Sequence, residues 1–379
     1  MIGKNYYLAI LMTIALVSCS TENRGKRAVA MNDENVMVLD RSIVTDTVDI
    51  PLSELAEGYE LIRFERGEQA MFQFWWASFS EHYVCIKQSQ GPLKLFDTKG
   101  HYIHDVGAVG HGPGEYVGVY DVAIDEPKGR IFVAPFVGEN ILVYNLQGQY
   151  QESIPMRDRI NKGRLHIEAD GTLSLVHLCF SDFGDEAKQF TTASINPNTK
   201  EANVGYGHQA ALTMKARNEQ GQTVGFNNEI FAYSNTPTFA FQLTSSDTLY
   251  HFDPKAGQAK PYFTLKRKGE SDQGFTLYNE LPRHLLTSLD GKLILTEKKS
   301  GRSAYIRLRN DYLGGIEMYP TTQDGYIWKE WAPEELHDEL KQAIDRGGLS
   351  AKDESRLREL ANSLKDDDND ILLRARLKQ

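Results

Sequence analysis

The stretch Leu93-Lys94-Leu95-Phe96-Asp97-Thr98-Lys99-Gly100-His101-Tyr102-Ile103 decides the fold. It consists of an apolar run that ends at Phe96, a polar turn from Asp97 to Gly100, and a second run with apolar residues. Asp and Gly tolerate the backbone dihedral angles of tight turns, and Asp also bonds to its own backbone there. The stretch therefore predicts a β-hairpin.

The same pattern recurs along the chain, each time as an apolar residue, a polar residue, a turn and another strand-like run. The apolar residues that mark the copies are Leu39, Phe96, Tyr144, Ile195, Phe252 and Leu308. The copies lie about 50 residues apart, which is enough for four strands of ~6 residues with their turns. Such a period is typical of a β-propeller, whose four-stranded blades close into a ring. Six copies predict an all-β fold, a six-bladed β-propeller over residues 36–331; two β-sandwiches, the alternative, do not explain the spacing.

Both chain ends are expected to share the last blade. Asp324–Trp331 is a strand candidate with no hairpin copy after it, and the copy at Leu39 has no inner strands before it. Placing them in one blade ties the termini into the ring and leaves no open edge.

Residues 332–379 depart from the repeat. Pro333 and the acidic residues after it predict a helix that ends at Gly347-Gly348, and Ser350 predicts the cap of a second helix. Ile371–Leu377 then predicts a strand that returns to the closing blade. A short C-terminal helical hairpin and a closing strand thus complete the propeller.

Residues 1–18 are predicted to be a signal peptide. Lys4 precedes an apolar run of twelve residues, Tyr6–Val17, which is shorter than the roughly 20 that span a bilayer. The run ends in Leu16-Val17-Ser18-Cys19, which resembles the lipobox of bacterial lipoproteins. The resemblance implies cleavage before Cys19 and a lipid on its sulfur; an ordinary secretory peptide with a chance cysteine is the alternative.

The lipid on Cys19 would hold the protein to a membrane of the cell envelope. Residues 19–35 show no apolar period and predict a polar tether. Ser20 follows the cysteine where an inner-membrane lipoprotein would carry Asp, so we expect the outer membrane, with the protein facing either the periplasm or the exterior.

Charge and cysteine content exclude some partners and bonds. The formal net charge is −10, and a negative surface repels phosphate backbones, so we expect no nucleic-acid partner. Cys85 and Cys179 each lie in an apolar, strand-like run and are predicted to be buried thiols. A disulfide between them is the alternative in an oxidising compartment.

The run from Gly107 to Tyr116 contains Gly112-Pro113-Gly114-Glu115-Tyr116 and resembles the six-bladed β-propeller lipoproteins of the NHL-like and TolB-like group. His111 departs from that group, in which glutamine is commoner, and so does Asp370 in the ending Asp368–Leu372, where Asn-Pro is usual. The resemblance implies the propeller fold and export. It carries over no catalytic residues.

Four residues are candidates for ligand binding at the ring's mouth. The glycines around His111 and Glu115 do not make a phosphate loop, because no Gly-Lys-Ser/Thr follows them, and they predict a tight connection between blades. His111 and Glu115 could still reach the mouth. Trp75 and Trp76 face opposite ways if extended, so we expect one to be buried and the other to be free to stack on a sugar or an apolar ligand.

Other loops add weaker candidates. Phe136–Asn140, Phe180–Phe183 and Asn235–Phe239 are rich in aromatic and polar residues, and the long connection Gly205–Asn228 could be a lid or a partner-binding loop. The sequence contains none of the local Cys, His or calcium-loop patterns that bind metals, so we predict neither a metal nor a cofactor.

These observations favour a non-catalytic propeller that presents a ligand-binding face to an envelope glycan, peptide or protein. The alternative is an enzyme, a hydrolase or lyase acting on a glycan or peptide at the mouth of the central channel. A propeller can assemble catalytic groups from separate blades without any linear motif, so this alternative stays open.

Overall fold

The computed structural model describes residues 25–180, 189–207, 219–222, 228–244, 246–267 and 274–379. Strands dominate them, and the predicted all-β propeller is confirmed. No helix among these residues has the length and apolar character needed to cross a membrane.

Five sheets are each built around four consecutive antiparallel strands. Sheet 1 contains β6 (Phe74–Phe79), β7 (Tyr83–Gln88), β8 (Leu93–Asp97) and β9 (Tyr102–Val106). Sheet 2 contains β12 (Val119–Asp125), β13 (Arg130–Pro135), β14 (Val137–Asn145) and β15 (Tyr150–Asn161). Sheet 3 contains β16 (Arg164–Ile167), β17 (Leu173–Leu178), β18 (Phe190–Ile195) and β19 (Ala202–Gly207). Sheet 4 contains β20 (Ile230–Phe231), β21 (Ala240–Leu243), β22 (Thr248–Asp253) and β23 (Gln258–Leu265). Sheet 5 contains β24 (Thr276–Glu280), β25 (His284–Leu289), β26 (Lys292–Glu297) and β27 (Arg302–Asn310).

Sheet 6 combines strands from both ends of the chain. Its order is β29 (Thr321–Gln323), β30 (Tyr326–Trp331), β31 (Ile371–Leu377) and β5 (Ala56–Arg63). The last strand of the chain, β31, lies between β30 and β5 and pairs antiparallel with both. The predicted return of Ile371–Leu377 to a sheet shared by both ends is confirmed.

The hairpin between the third and fourth strands is the repeated unit of the five continuous sheets. In each, a backbone N–H at the end of the turn donates to the carbonyl at its start; the pairs are Gly100 to Asp97, Gly148 to Asn145, Lys200 to Asn196, Gly257 to Asp253 and Gly301 to Glu297. The copies marked by Phe96, Tyr144, Ile195 and Phe252 lie at these turns.

The copy placed at Leu308 is wrong as a marker of the repeated hairpin, because it forms a different hairpin in which β27 pairs with Ile316–Met318. The repeated hairpin of sheet 5 runs through Glu297, Lys298 and Gly301. At the position where the other turns carry Asp or Asn, this turn carries Glu297. The longer Glu side chain does not form the short bonds to the turn backbone that Asp and Asn form. The pattern therefore missed it.

The copy placed at Leu39 is also wrong, and the strand that completes sheet 6 is β5 instead. The strand β3 (Met37–Leu39) pairs in parallel with β23 on the outer edge of sheet 4, where β2 (Val29–Met31) extends it. Because β2 and the short β1 (Lys26–Arg27) both pair with the propeller, the polar stretch 19–35 is not a free tether over its whole length.

The remaining elements join or cover the sheets. They are β4 (Thr47–Pro51), which pairs in parallel with β27, the short helix α1 (Leu52–Leu55), the two-stranded pair β10 (Ala108–Val109) and β11 (Glu115–Tyr116), β28 (Ile316–Met318), α2 (Pro333–Asp345) and α3 (Ala351–Ser363). Both predicted C-terminal helices are present, and the hydroxyl of Ser350 accepts from the Asp353 N–H as the cap of α3. They bury Leu336, Leu340 and Leu357 against Trp331 beside sheets 5 and 6.

Apolar residues fill the spaces between neighbouring sheets and close the ring. Phe79 and Phe96 of sheet 1 pack with Trp328 and Leu372 of sheet 6, so the first continuous sheet meets the composite one. The first strands β6, β12, β16 and β29 contact one another across sheet boundaries and therefore lie nearest the propeller axis. Cys85 and Cys179 are buried, as predicted, and burial raises the pKa of the Cys85 thiol to about 12.

Candidate functional site

Charged side chains converge where the inner strands of sheets 1 to 4 begin, close to the propeller axis. We call this set the mouth cluster; its members are Lys87, Tyr120, Asp121, Lys162, Arg164 and Glu229. Tyr120 and Asp121 lie at the start of β12, and Arg164 is the first residue of β16. Because first strands lie nearest the axis, residues at their start surround one end of the central channel.

Arg164 and Asp121 link sheets 2 and 3. The Arg164 guanidinium donates from Nη1 to Oδ1 of Asp121 over 3.3 Å and from Nε to the Ile230 carbonyl over 2.9 Å. The other carboxylate oxygen of Asp121 accepts from the Leu165 N–H over 2.7 Å. Burial raises the pKa of Asp121, while the charge of Arg164 opposes that shift. The pair fixes the positions of the two strands on which it lies.

Lys162, Glu229 and Tyr120 form a second paired group beside the first. The ammonium of Lys162, 1% exposed, lies 2.5 Å from Oε1 of Glu229 and donates to the Asn228 carbonyl over 2.8 Å. Tyr120 donates its hydroxyl hydrogen to the other oxygen of Glu229. Burial raises the pKa of Tyr120, so its hydroxyl stays protonated as a donor. Both carboxylates of the mouth cluster thus have donors from the protein.

Lys87 differs from the rest of the cluster. Its half-buried side chain has no hydrogen bond or ion pair within the described ranges, and its ammonium lies 6.0 Å from the centre of the Tyr120 ring. Burial lowers the pKa of Lys87 to about 8, and the nearby charge of Arg164 adds to that effect. A lysine that leaves water without a partner is costly, so its environment suits a group that is not part of this chain.

Two β-bulges shape the inner strands at this end of the channel. In β12 the ladder with β13 skips Tyr120, and in β6 the ladder with β7 skips Trp75. Bulges redirect side chains and are common beside binding sites. Tyr120 and Trp75 therefore occupy equivalent positions in neighbouring sheets.

The two tryptophans differ in exposure, although Trp76 is half-buried rather than buried as predicted. Trp75 is 62% exposed, whereas Trp76 packs edge-on against Trp328 with 5.0 Å between ring centres. Trp76 also lies 6.4 Å from the ring of Tyr233, and its indole N–H is buried without an acceptor in the part of the chain that is described. Trp75 is thus the member of the pair that a ligand can reach.

The residues Tyr233–Asn235 follow β20 and bond to sheets on several sides of the ring, and we call them the central plug. Ser234 bonds to His166 of sheet 3 over 3.1 Å, and Asn235 donates to Asn279 of sheet 5 and Thr322 of sheet 6 over 2.9 and 2.7 Å. The plug thereby ties together sheets on several sides of the ring.

His111 and Glu115 line a separate groove of about 480 Å³ with residues 136–140. Glu115 accepts from the Gly112 N–H over 2.8 Å, which folds the glycine-rich run on itself. The ring of Phe136 lies 5.7 Å from that of Tyr120, so the groove adjoins the mouth cluster. The structure thus brings His111, Glu115 and Phe136–Asn140 together, beside the mouth rather than inside it. The prediction of a loop at Phe136–Asn140 is wrong, because β14 begins at Val137.

The motif Gly112–Tyr116 has a structural role, as the predicted tight connection requires. Gly114 has a φ of +73°, and a Cβ there would lie 2.4 Å from the Tyr150 ring. The hydroxyl of Tyr116 donates to the Val106 carbonyl over 2.5 Å and accepts from the Leu93 N–H over 2.8 Å. These bonds fasten the connection between sheets 1 and 2.

Several predicted features lie in stretches of the chain that the structure does not describe. Cys19, residues 181–183 of the loop Phe180–Phe183, and most of Gly205–Asn228 lie outside the described residues. Among the described residues, no group of three or more His, Cys, Asp and Glu side chains could hold a metal ion.

Sequence reasoning missed the mouth cluster, because its residues come from four distant stretches and form no motif. One signal was present: Tyr120-Asp121 and Lys162-Gly163-Arg164 each place charge at the start of an otherwise apolar strand.

Comparisons with known proteins find one family model and similar solved structures. The family model described as "Domain of unknown function (DUF4934)" matches residues 35–376. A protein from Bacteroides fragilis thought to be exported is 16% identical, with a TM-score of 0.61 and coverage of 89% of this chain and 99% of its own. A DUF4221 family member from Bacteroides vulgatus is 9% identical, with a TM-score of 0.42 and coverage of 86% and 97%. No curated protein matches the chain.

Proposed function

This chain belongs to the DUF4934 family, and from that premise we propose that it is an envelope propeller that binds a ligand at the mouth cluster without converting it chemically. The observation that carries the proposal is Lys87. It is half-buried at the mouth and has no hydrogen bond or ion pair among the described residues, while the other charges of the cluster are paired.

Binding explains this arrangement better than a purely structural role does. Buried polar groups in folded proteins are nearly always hydrogen-bonded, and an unpaired one costs about 1–3 kcal/mol. The paired groups around Lys87 hold the geometry of the mouth cluster. A ligand that supplies an acceptor to Lys87 would complete the site.

Both carboxylates of the mouth cluster already accept hydrogen bonds from the protein, which supports binding rather than catalysis. Asp121 accepts from Arg164 and a backbone N–H, and Glu229 accepts from Lys162 and Tyr120. A general base needs a free lone pair within reach of its substrate. The alternative, a hydrolase or lyase working in the mouth, is favoured by one observation: a lysine with a pKa of about 8 is partly neutral near physiological pH and can act as a nucleophile.

The number of blades and the anchor belong to the same proposal. We infer that sheet 6 is a sixth blade beside the five continuous ones, as in the NHL-like and TolB-like lipoproteins that the sequence resembles, because it has four strands and packs on sheet 1. Cys19 carries the lipid, and the chain before β1 links it to the outer membrane.

Thermal shift measurements test the function. An envelope extract, fractionated into glycans and peptides, is expected to raise the melting temperature of the protein, and Lys87→Met is expected to abolish the rise. Lys292→Met is the matched control, because it removes the same charge beside Tyr305, on sheet 5. Chromatography of the bound fraction should recover it unchanged. Equal stabilisation of both variants would place the site elsewhere, and a converted ligand would favour the enzyme.

The anchor makes a separate prediction. Cys19→Ser removes the sulfur that accepts the lipid, so the protein should move from the membrane pellet to the soluble fraction and should no longer incorporate a labelled fatty acid in cells. Cys85→Ser is the control, because this buried thiol lies within sheet 1. A Cys19→Ser protein that remains in the membrane pellet would contradict lipid anchoring at this residue.

A further inference from the structure

We propose that the ligand of the mouth is an acidic sugar, whose carboxylate pairs with Lys87 and whose ring stacks on Trp75. This inference rests on the proposed binding function and adds the chemical class of the ligand. Two independent features of the structure carry it: the surplus of positive charge at the mouth, and the exposed indole at a bulge of the innermost strand.

The mouth cluster has one more cation than it has carboxylates. Arg164 is paired with Asp121 and Lys162 with Glu229, which leaves Lys87 as the surplus charge. The local balance is thus positive in a protein with a net charge of −10. A ligand with a single carboxylate would neutralise the surplus and give Lys87 its missing acceptor.

Trp75 supplies a platform for a ring. It is the residue that the bulge in β6 displaces, one position from Trp76, and it is 62% exposed. The equivalent residue of sheet 2, Tyr120, reaches into the mouth, where Arg164 lies over its ring at 4.6 Å. By this equivalence the bulge in β6 presents Trp75 at the same end of the channel, where its face can pack on the C–H groups of a pyranose.

The neighbours of Trp75 favour a sugar over an acidic peptide. Gln73, Gln88 and Ser89 form a small network in which Ser89 donates to the Gln73 side chain over 3.0 Å and the Gln73 N–H donates to Gln88 over 3.3 Å. Neutral amides and hydroxyls donate and accept, as sugar hydroxyls do. An acidic peptide would gain more from further cations, which these three positions do not provide.

Paired ligands that differ by one carboxylate test the inference. The probes are glucuronic, galacturonic and mannuronic disaccharides, each compared with its neutral hexose counterpart by calorimetry at low ionic strength. At least one acid should bind about 10- to 100-fold more tightly than its neutral counterpart, as expected for a charge-assisted hydrogen bond. Lys87→Met should remove this preference, and Trp75→Ala should weaken acid and neutral sugar alike by up to about tenfold.

Lys292→Met should leave both affinities unchanged, since Lys292 lies over the Tyr305 ring, on sheet 5. Equal binding of acid and neutral forms that still depends on Trp75 would overturn the acidic class but leave ligand binding at the mouth in place. Lys87-dependent binding of a Glu-rich peptide, with no binding of any sugar, would overturn the sugar and keep the function. Sugar binding that neither Lys87→Met nor Trp75→Ala affects would overturn both.

Discussion

Arg374→Ala is expected to lower the free energy of unfolding by about 3 kcal/mol, the largest loss that we foresee for a single residue of sheet 6. Arg374 lies on β31, the strand from the end of the chain, and is 1% exposed. It donates to the carbonyls of Ser80 and Glu81 in sheet 1 and to Glu60 on β5, each over 2.7 Å. One side chain thus joins both chain ends of sheet 6 to the next sheet.

The truncation removes these three bonds and leaves a cavity beside the Tyr326 ring, over which the guanidinium lies at 4.5 Å. Urea unfolding followed by tryptophan fluorescence measures the loss, because Trp328 and Trp331 belong to the same sheet. The control is Arg376→Ala on the same strand. The Arg376 side chain is 51% exposed and bonds to the Tyr326 hydroxyl, so its loss should cost less than about 1 kcal/mol. Similar losses in both variants would show that Arg374 does not hold the closure.

The sequence predicts local features of this fold well. A hairpin turn is encoded by four or five adjacent residues, so the turns after Phe96, Tyr144, Ile195 and Phe252 are visible as motifs. The same holds for the cap at Ser350 and for the division of Trp75 and Trp76 between exposed and packed positions. Each of these depends on neighbours in the chain.

Ring closure is harder to predict because it depends on competition between distant strands. Two strands near the N-terminus, Met37–Leu39 and Ala56–Arg63, compete for the place in sheet 6. Met37–Leu39 pairs with β23 at the edge of sheet 4, whereas Ala56–Arg63 pairs with the buried strand β31 in sheet 6. Pairing energies of this kind come from packing between sheets, which a pattern along the chain does not contain.

The candidate site shows the same limit. The members of the mouth cluster are far apart in the sequence. Lys87, Asp121 and Arg164 belong to sheets 1, 2 and 3, and Glu229 directly precedes β20 of sheet 4. Only the closed ring brings them together. His111 and Glu115 stood out because glycines surround them, yet those glycines serve the connection between sheets 1 and 2. The glycine-rich sequence therefore indicates a structural connection. The residues of the mouth cluster, in contrast, lie in no recognisable sequence motif.

Lys87 is expected to be among the fastest lysines of the protein to react with acetic anhydride. With a pKa of about 8, roughly half of its amines are neutral at pH 8, against about 0.4% for an ordinary lysine of pKa 10.4. Partial burial and the lower basicity of the amine reduce this advantage, so we expect a rate about tenfold above that of Lys292. Since only the protonated amine attracts an anion, ligand affinity should fall as the pH rises above 8.

The most direct measurement of the central claim is the acetylation rate of Lys87, read by mass spectrometry with and without the ligand. A carboxylate bound at the mouth covers the amine and favours its protonated form, so the rate at Lys87 should fall about tenfold or more on saturation. The rate at Lys292 should not change. An unchanged rate at Lys87 in the saturated protein would mean that the ligand binds elsewhere and that the mouth cluster is only a structural joint between the sheets.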